Sequence, residues 1–337
     1  MMHRILNGDV RAGLRSLPPA SVQCVVTSPP YWGQRDYEVD GQIGLESSSD
    51  DHIADLVDVF REVRRVLRDD GTLWLNYGEG YYSSPSKTDG GKTKDLMGIP
   101  WRLALALRAD GWYLRSDVVW SKPNPTPEPV RDRPTKGHEY LFLLSKSPTY
   151  YYDLRRDRSD TDLYRLTVWT IPTNGSAPAT GVLHFASFPP RLVKGCILAG
   201  TSDKGACPSC GAPWVREFER EYSGDLRDAG YDGEPLVRGR TGKVSKFGKV
   251  TRETTTAWIP SCKCAGAENM DPVPCVVLDP FVGSGTTTLI ARELGRSSIG
   301  IELNPEYVEH IVSRLRVNEQ LDSGLCSYVV EEVVSAP

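Results

Sequence analysis

The sequence predicts an α/β protein built on a largely parallel sheet, and three observations carry that prediction. Short apolar runs of strand type alternate with segments whose apolar residues recur at three and four. These runs break off abruptly into proline- or glycine-rich turns, the positions at which open α/β sheets place ligands. The pattern then resumes on the far side of a middle region rich in proline, glycine and charge. A chain of 337 residues with 39% hydrophobic content is long enough for two ordinary domains or one large domain with insertions.

In chain order, HRIL and the apolar run VQCVV at 22–26 read as strands, the second ending at TSPPYW. Over 51–67, Ile53, Leu56, Val57, Phe60, Val63, Val66 and Leu67 form one apolar helical face, while Arg61, Arg64, Arg65 and Arg68 face water. Ser49 or Asp50 supplies the N-cap and Gly71 the end. TLWLN at 72–76 is the next strand, which makes a strand-helix-strand unit with parallel strands. A second unit follows, with a helix over 97–109 and a strand over 112–120. Five prolines in SKPNPTPEPVRDRPTK then forbid regular structure and mark a loop-rich surface segment. The stretch 201–267 reads as an inserted module. VPCVVLD at 273–279 returns to strand, followed by a Gly-rich turn, a helix over 286–294, the strand SSIGIEL and a last helix after Pro305. Residues after Gly324 read as a loosely ordered tail, and no internal repeat is visible.

Composition excludes several classes. The net charge of −4 excludes a polycation but not a nucleic-acid enzyme with local basic patches. No apolar run approaches the roughly 18 to 20 residues that cross a bilayer, and MMHRILNGDV lacks a secretory apolar stretch, so the expected location is the cytosol. Eight cysteines in such a chain do not make a disulfide scaffold. Cys24 and Cys275 sit in apolar runs as small hydrophobes, and Cys196 and Cys326 are scattered. The other four cluster as CPSCG, with Cys207 and Cys210, and CKC, with Cys262 and Cys264. Two thiolates on a glycine-completed turn suit zinc, and a closed four-cysteine site would be structural, although CKC is tighter than the usual CxxC and unpaired cytosolic thiols are the bland reading.

Two turns carry the chemistry. In VLDPFVGSGTTTLIARELG an acid ends a strand, a turn with Gly283 and Gly285 follows, and a helix starts, so free N–H groups point at whatever occupies the turn. A P-loop would need lysine after the last glycine, where Thr286 stands, and the dinucleotide fingerprint would need a third glycine where Thr288 stands. What remains is a nucleoside-type cofactor whose ribose diol donates to Glu302, or else a tight turn with no ligand. In TSPPYW, Ser28 and the carbonyls beside Pro29 and Pro30 are free acceptors, and Tyr31 with Trp32 forms a flat wall. That is a slot for a planar ring bearing an amino group, the alternative being a proline-stiffened turn with core aromatics.

Together TSPPYW and DPFVGSGTT resemble the amino-methyltransferase family of DNA-modifying enzymes, which methylate cytosine N4 or adenine N6. The SPPY turn precedes the cofactor turn, as in the permuted beta group of phage and bacterial members. FREVRRVLRDDGTLWLN, GIPWRLALALRADGWYLRSDVVWSKPNP, RPTKGHEYLFLLSK and HFASFPPRLV extend the resemblance over most of the chain. It implies a circularly permuted Rossmann-like methyltransferase fold with a catalytic half at 1–120, a target-recognition region at 121–180, a cofactor-closing segment at 181–200, a zinc-binding insertion at 201–267, an S-adenosylmethionine-binding half at 268–320 and a tail at 321–337.

By the same resemblance Ser28, Pro29, Pro30 and Tyr31 form the catalytic turn, Pro29 giving a carbonyl and Tyr31 stacking on the flipped base. Asp279, Phe281, Gly283, Ser284, Gly285 and Thr286 form the cofactor loop, with Glu302 as the ribose acid, Asp9 on the cofactor side, and Phe185, Ser187 and Phe188 closing over the methionine part. Gln23 stands where members commonly carry an acid. Serine at the head of the motif favours cytosine N4 over adenine N6. The implied cofactors are S-adenosylmethionine and a structural zinc, and the implied partner is double-stranded DNA, not a membrane; a homodimer and a cognate restriction enzyme stay open. Arg131, Arg133, Lys136, His138, Arg155, Arg156 and Arg158 are candidate DNA contacts, although His138 fits better as a buried residue bonded to a carbonyl. Arg238, Arg240, Lys243, Lys246, Lys249 and Arg252 make a basic loop that follows phosphates or is simply solvated. Rival classes are an RNA-modifying enzyme, a nicotinamide-dependent dehydrogenase, which would leave TSPPYW idle, and a zinc-dependent nucleic-acid-binding regulator without catalysis, which would not need that turn.

Overall fold

The computed structural model describes residues 1–154, 163–173, 188–223, 249–319 and 327–333. Among them, strands β1 (Met2–Asn7), β2 (Val22–Thr27), β3 (Leu67–Tyr77), β4 (Tyr113–Ser121), β5 (His138–Ser145), β6 (Val168–Thr170), β9 (Val276–Asp279), β10 (Ser297–Glu302) and β11 (Ser327–Glu332) form one sheet. Its spatial order is β11-β1-β10-β9-β2-β3-β5-β4-β6. Pairing is parallel from β11 through β3, β5 runs antiparallel to both β3 and β4, and β6 pairs parallel with β4. A separate hairpin of β7 (Trp214–Ser223) and β8 (Lys249–Pro260) stands outside this sheet.

The central strands are buried on both faces, which is why they read as continuous apolar runs. Alternate residues divide between two cores: Leu6, Val25 and Leu278 pack with α1 (Val10–Arg15), α2 (Ser49–Val66) and α3 (Ile99–Ala109). Cys24, Val26 and Val277 face the other way, against α4 (Pro190–Gly200) and α5 (Thr286–Glu293). Ile5 meets α5 and α6 (Pro305–Glu319) through Leu289, Val308, Ile311 and Leu315. α2 forms with Ile53, Leu56, Val57, Phe60, Val63 and Val66 buried as expected, but its N-cap is Ser48, accepting from Asp51 N, in place of Ser49 or Asp50, and it ends at Val66, so that Leu67 already belongs to β3 before Gly71.

Several parts of the sequence reading change. The segment read as loop-rich contains two strands, β5 and β6, and the tail contains β11, which pairs with β1 and carries Glu331 in a bidentate pair with Arg4 at 2.7 and 2.9 Å. Helix α4 was not legible in periodicity. Lys249 and Arg252, read as part of a loop, belong to β8, and Arg155, Arg156, Arg158, Arg238, Arg240, Lys243 and Lys246 lie outside the described residues. His138, read as buried, is exposed at the start of β5, edge-on to Tyr140 at 5.3 Å. Among the described residues no helix is long and apolar enough to cross a membrane.

Because Phe60 is fully buried at the centre of the α2 contact, Phe60→Ala is expected to lower unfolding free energy by about 3 to 5 kcal/mol. Arg61→Ala, on the solvent face of the same helix, is expected to leave the urea midpoint near the wild-type value; equal shifts in both would contradict the assignment of faces.

Candidate active site at the carboxyl ends of β2 and β9

β2 and β9 are neighbours in the sheet, so the turns that follow them emerge side by side. A single cavity of about 640 Å³ opens there, within the range of small-molecule sites, roughly 300 to 1,000 Å³. Ser28, Pro29, Pro30 and Tyr31 line one part of it, and Asp279, Phe281, Gly283, Ser284, Thr286 and Glu302 another, with Asp9 and Phe188 also in the wall. The sequence-predicted residues therefore converge, with Gly285, Phe185 and Ser187 as exceptions. Phe185 and Ser187 lie outside the described residues. Gly285 caps α5 from the left-handed region at φ +79°, and a Cβ there would sit 3.0 Å from the Ile311 side chain. A side chain there would press on Ile311, so the packing of α5 on α6 calls for glycine at this position.

The acids differ in what they do. Asp279 is 1% exposed and accepts from Thr27 Oγ1 at 2.8 Å, Thr287 Oγ1 at 2.6 Å and Phe281 N at 3.1 Å, so it clamps the two turns together. Burial pushes its pKa up to about 6. Glu302 accepts from Gly283 N at 2.9 Å and Asn304 N at 3.0 Å, and burial pushes it up to about 7. Asp9 is the N-cap of α1, one oxygen accepting from Arg11 N and Ala12 N at 3.0 Å each. Gln23 does not reach the cavity: its amide donates to Gly211 O at 2.9 Å and accepts from Val276 N at 2.7 Å.

Tyr31 stacks on Tyr77, ring centres 4.4 Å apart and 25° between planes, so the ring is backed and stiff. Trp32, read as part of the same wall, instead donates through Nε1 to Glu46 O at 3.0 Å and packs edge-on to Tyr82 at 6.3 Å. Tyr77 is held by His52 Nε2 at 2.8 Å, and His52 Nδ1 lies 2.8 Å from Glu46 Oε2. Around the Tyr31 hydroxyl the structure adds residues that the sequence reading missed. Ser28 Oγ donates to Tyr31 Oη at 3.2 Å, Asn76 Nδ2 donates to it at 2.6 Å, and Tyr31 Oη donates to Glu139 Oε2 at 3.0 Å. Lys122 Nζ pairs with Glu139 Oε1, and Asn76, Lys122 and Glu139 all line the cavity. Burial, and then the adjacent Glu139, push the Tyr31 phenol well above its ordinary range, so it stays a donor at any physiological pH. A strand signal was present for Glu139, since HEYLFLLS is an apolar run opened by a glycine.

The loop over 34–43 covers the cofactor-side part of the cavity, and Tyr37 meets Tyr307 of α6 edge-on at 6.5 Å. Of the candidate DNA contacts, Arg133 bonds Glu128 at 2.6 Å and lies 3.8 Å over the Tyr81 ring, and Lys136 Nζ donates to Glu79 O at 2.8 Å. Away from the cavity, the Sγ atoms of Cys207, Cys210, Cys262 and Cys264 lie within 4.8 Å of one another.

Comparison with known proteins agrees with this geometry. A family model described as DNA methylase matches residues 22–207 and 275–313. The Type II methyltransferase M.Cfr9I of Citrobacter freundii is 41% identical over 335 residues, covering 93% of this chain and 87% of that protein. M.SmaI of Serratia marcescens is 39% identical over 337 residues, covering 93% and 90%. Among solved structures, the PvuII DNA methyltransferase (cytosine-N4-specific) superposes with a TM-score of 0.60 at 18% identity, covering 96% of this chain and 89% of that one. A DNA modification methylase of Thermus thermophilus, TTHA0409, complexed with S-adenosyl-L-methionine, superposes with a TM-score of 0.56 at 21% identity, covering 97% and 99%. The two superpositions establish a shared fold, and the sequence matches establish descent: the chain belongs to the N4/N6 amino-methyltransferase family of DNA methylases.

Proposed function

We propose that this protein methylates DNA at the exocyclic N4 amine of a cytosine turned out of the duplex, with S-adenosylmethionine as methyl donor. The observation that carries the reading is that the SPPY turn and the Gly283 turn open into one cavity, with a serine, not an acid, at the head of the first. The cavity fits the cofactor: its volume suits a nucleoside, and Glu302 stands in its wall as a half-buried carboxylate for a ribose diol. When bound, S-adenosylmethionine supplies an electrophilic methyl group on a sulfonium. The chain supplies placement. The Ser28 hydroxyl is turned toward Tyr31, which leaves its lone pairs to accept an amine N–H, and the Pro29 carbonyl is a second acceptor. Holding both N–H bonds favours a pyramidal nitrogen whose lone pair is aimed at the methyl, and such alignment is worth roughly 7 to 11 kcal/mol of barrier. The order of the two turns along the chain is that of the permuted beta group, a bacterial modification enzyme acting beside a restriction enzyme being the natural setting.

Incubation of unmodified genomic DNA with the protein and labelled cofactor, followed by nucleoside mass spectrometry, should yield N4-methylcytosine. N6-methyladenine alone would move the reading to the family's other product, and no modified nucleoside would remove it. Ser28→Ala should lower single-turnover methylation while cofactor affinity, read by calorimetry, stays within twofold; equal loss of both would assign Ser28 to the cofactor.

Ribose hydroxyls donate to the charged carboxylate, so cofactor binding favours deprotonated Glu302. Because the free protein holds this group near 7, affinity should tighten about tenfold per pH unit as pH rises toward 7 and level off above it. Glu302→Gln should flatten that dependence, and an unaltered slope would assign the proton elsewhere.

The four cysteines fit zinc, since a tetrahedral ion with thiolates at about 2.3 Å needs sulfurs roughly 3.8 Å apart. Protein purified without added metal should carry one zinc per chain, and a strong chelator should make the β7–β8 hairpin the first site of proteolysis while cofactor binding survives. Zinc far below one equivalent, with four freely titrating thiols in the folded protein, would overturn the site.

A further inference from the structure

Methylation of an amine leaves a proton to be removed, and a serine hydroxyl cannot keep it. As the nitrogen lone pair forms the N–C bond and the C–S pair passes to sulfur, the base is left as an alkylammonium with one proton too many. Where a serine heads the motif, the acceptor for that proton has to lie elsewhere.

The hydrogen bonds around Tyr31 provide a directed path. Ser28 Oγ donates to Tyr31 Oη at 3.2 Å, and Tyr31 Oη donates to Glu139 Oε2 at 3.0 Å, so two hydroxyls already point in series toward one carboxylate. Asn76 Nδ2 donates to both Tyr31 Oη at 2.6 Å and Glu139 Oε2 at 2.7 Å, which fixes the junction. The close approach is possible because residue 78 is glycine: a Cβ there would lie 2.8 Å from the Tyr31 ring and 3.1 Å from the Glu139 carboxyl carbon. Four segments meet at this point, the turn after β2, the end of β3, the end of β4 through Lys122, and the start of β5.

We propose that Ser28, Tyr31 and Glu139 form a proton relay that carries the amine proton away from the methylated base. The amine gives its proton to Ser28 Oγ as the Ser28 proton moves to Tyr31 Oη and the Tyr31 proton moves to Glu139. The products are a neutral methylamine, both hydroxyls restored and a protonated Glu139, from which the proton leaves to solvent. Tyr31 is suited to pass a proton because its phenol does not ionise alone; it gives one proton only as it receives another. The charged and titratable groups facing Glu139 are Lys122, just after β4, and Tyr31 from the turn, with Tyr77 stacked behind Tyr31 and the neutral amide of Asn76 on β3. Lys122 holds the carboxylate in place before transfer. The relay rests on the proposed amine methylation, and Glu139 acts through Tyr31 without touching the base.

The test compares Glu139→Gln, Tyr31→Phe and the double variant with the wild type in single-turnover methylation of unmodified genomic DNA. Phenylalanine keeps the ring on Tyr77 and removes only the relay hydroxyl. With cofactor saturating at every pH, each single change should slow transfer about 10²-fold, the double variant should be no slower than either single one, and the acidic limb of the wild-type pH–rate profile should vanish in Glu139→Gln. Glu139→Gln with near wild-type rate and an unchanged acidic limb would overturn the relay, as would losses that simply multiply in the double variant. Failure of the functional reading shows separately, in the identity of the nucleoside that the wild type produces, because the relay is scored as variant-to-wild-type ratios on whichever amine is methylated.

Discussion

The carboxylate of Asp279 is the point on which the site depends. It ends β9, takes a hydroxyl from Thr27 at the end of β2 and another from Thr287 in the first turn of α5, and holds the backbone of Phe281 between them. Thr27 stands 252 residues away in sequence, so this one group registers the acceptor turn of the first half against the cofactor turn of the second. Burial of a carboxylate is costly, and here it raises the group from an ordinary value of 3.8 to about 6. A raised acid favours the folded state when protonated, so the cost sets in as pH climbs across that window and is fully present at neutrality. Three donors offset it, which explains why both neighbours are threonines: valine would fill the same space and leave the charge bare.

A second set of buried polar groups passes position from a helix to the site. The apolar stripe of α2 was plain from its spacing, yet the same helix carries His52 inward, fully buried between Glu46 and the Tyr77 hydroxyl. Tyr77 in turn backs Tyr31 and accepts from Trp32 N at 3.0 Å. The acceptor turn is therefore stiffened from behind by an ordered polar chain as well as by its two prolines.

What the sequence made legible, and what it did not, follows from the kind of signal each part leaves. β2, α2, β9 and α5 leave strong ones: runs buried on both faces, a clean three-four period, and a glycine turn next to an acid. β5 stood behind five prolines, and the expectation of loop carried past the point where the run HEYLFLLS began. With β5 unread, Glu139 could not be placed, and with it the partners of Lys122 and Asn76 disappeared from view. β11 is a short, mostly exposed edge strand with a charged end, a weak pattern that pairing with β1 completes. Motif residues also carry structural duties that spacing does not show: a Cβ at Gly285 would press on Ile311, Trp32 turns aside to Glu46, and Asp279 clamps the two turns while lining the cavity. Residue type and spacing name the candidates for a site, but a role depends on what each free atom faces, and that is tertiary.

The cysteine cluster illustrates the same distinction from the opposite end of the sheet. Gln23, which occupies a position where an acid was anticipated, lies at the beginning of β2 and bridges Gly211 of the cysteine knuckle to Val276 at the beginning of β9. Arg68, at the beginning of β3, donates to Cys210 O and pairs with Asp70 at 2.8 Å. The cluster thus docks on the amino ends of the very strands whose carboxyl ends carry Ser28 and Asp279, a strand length away, about 13 Å over four residues. No thiol there can reach a ligand in the cavity. Neutral glutamine suits this place better than a carboxylate would, because the site needs one donor for a carbonyl and one acceptor for an N–H, and an acid would supply only acceptors. The cysteine segment is thus tied to the first residues of β2 and β3, through Gln23 to Gly211 and Arg68 to Cys210, at the end of the sheet away from the cavity.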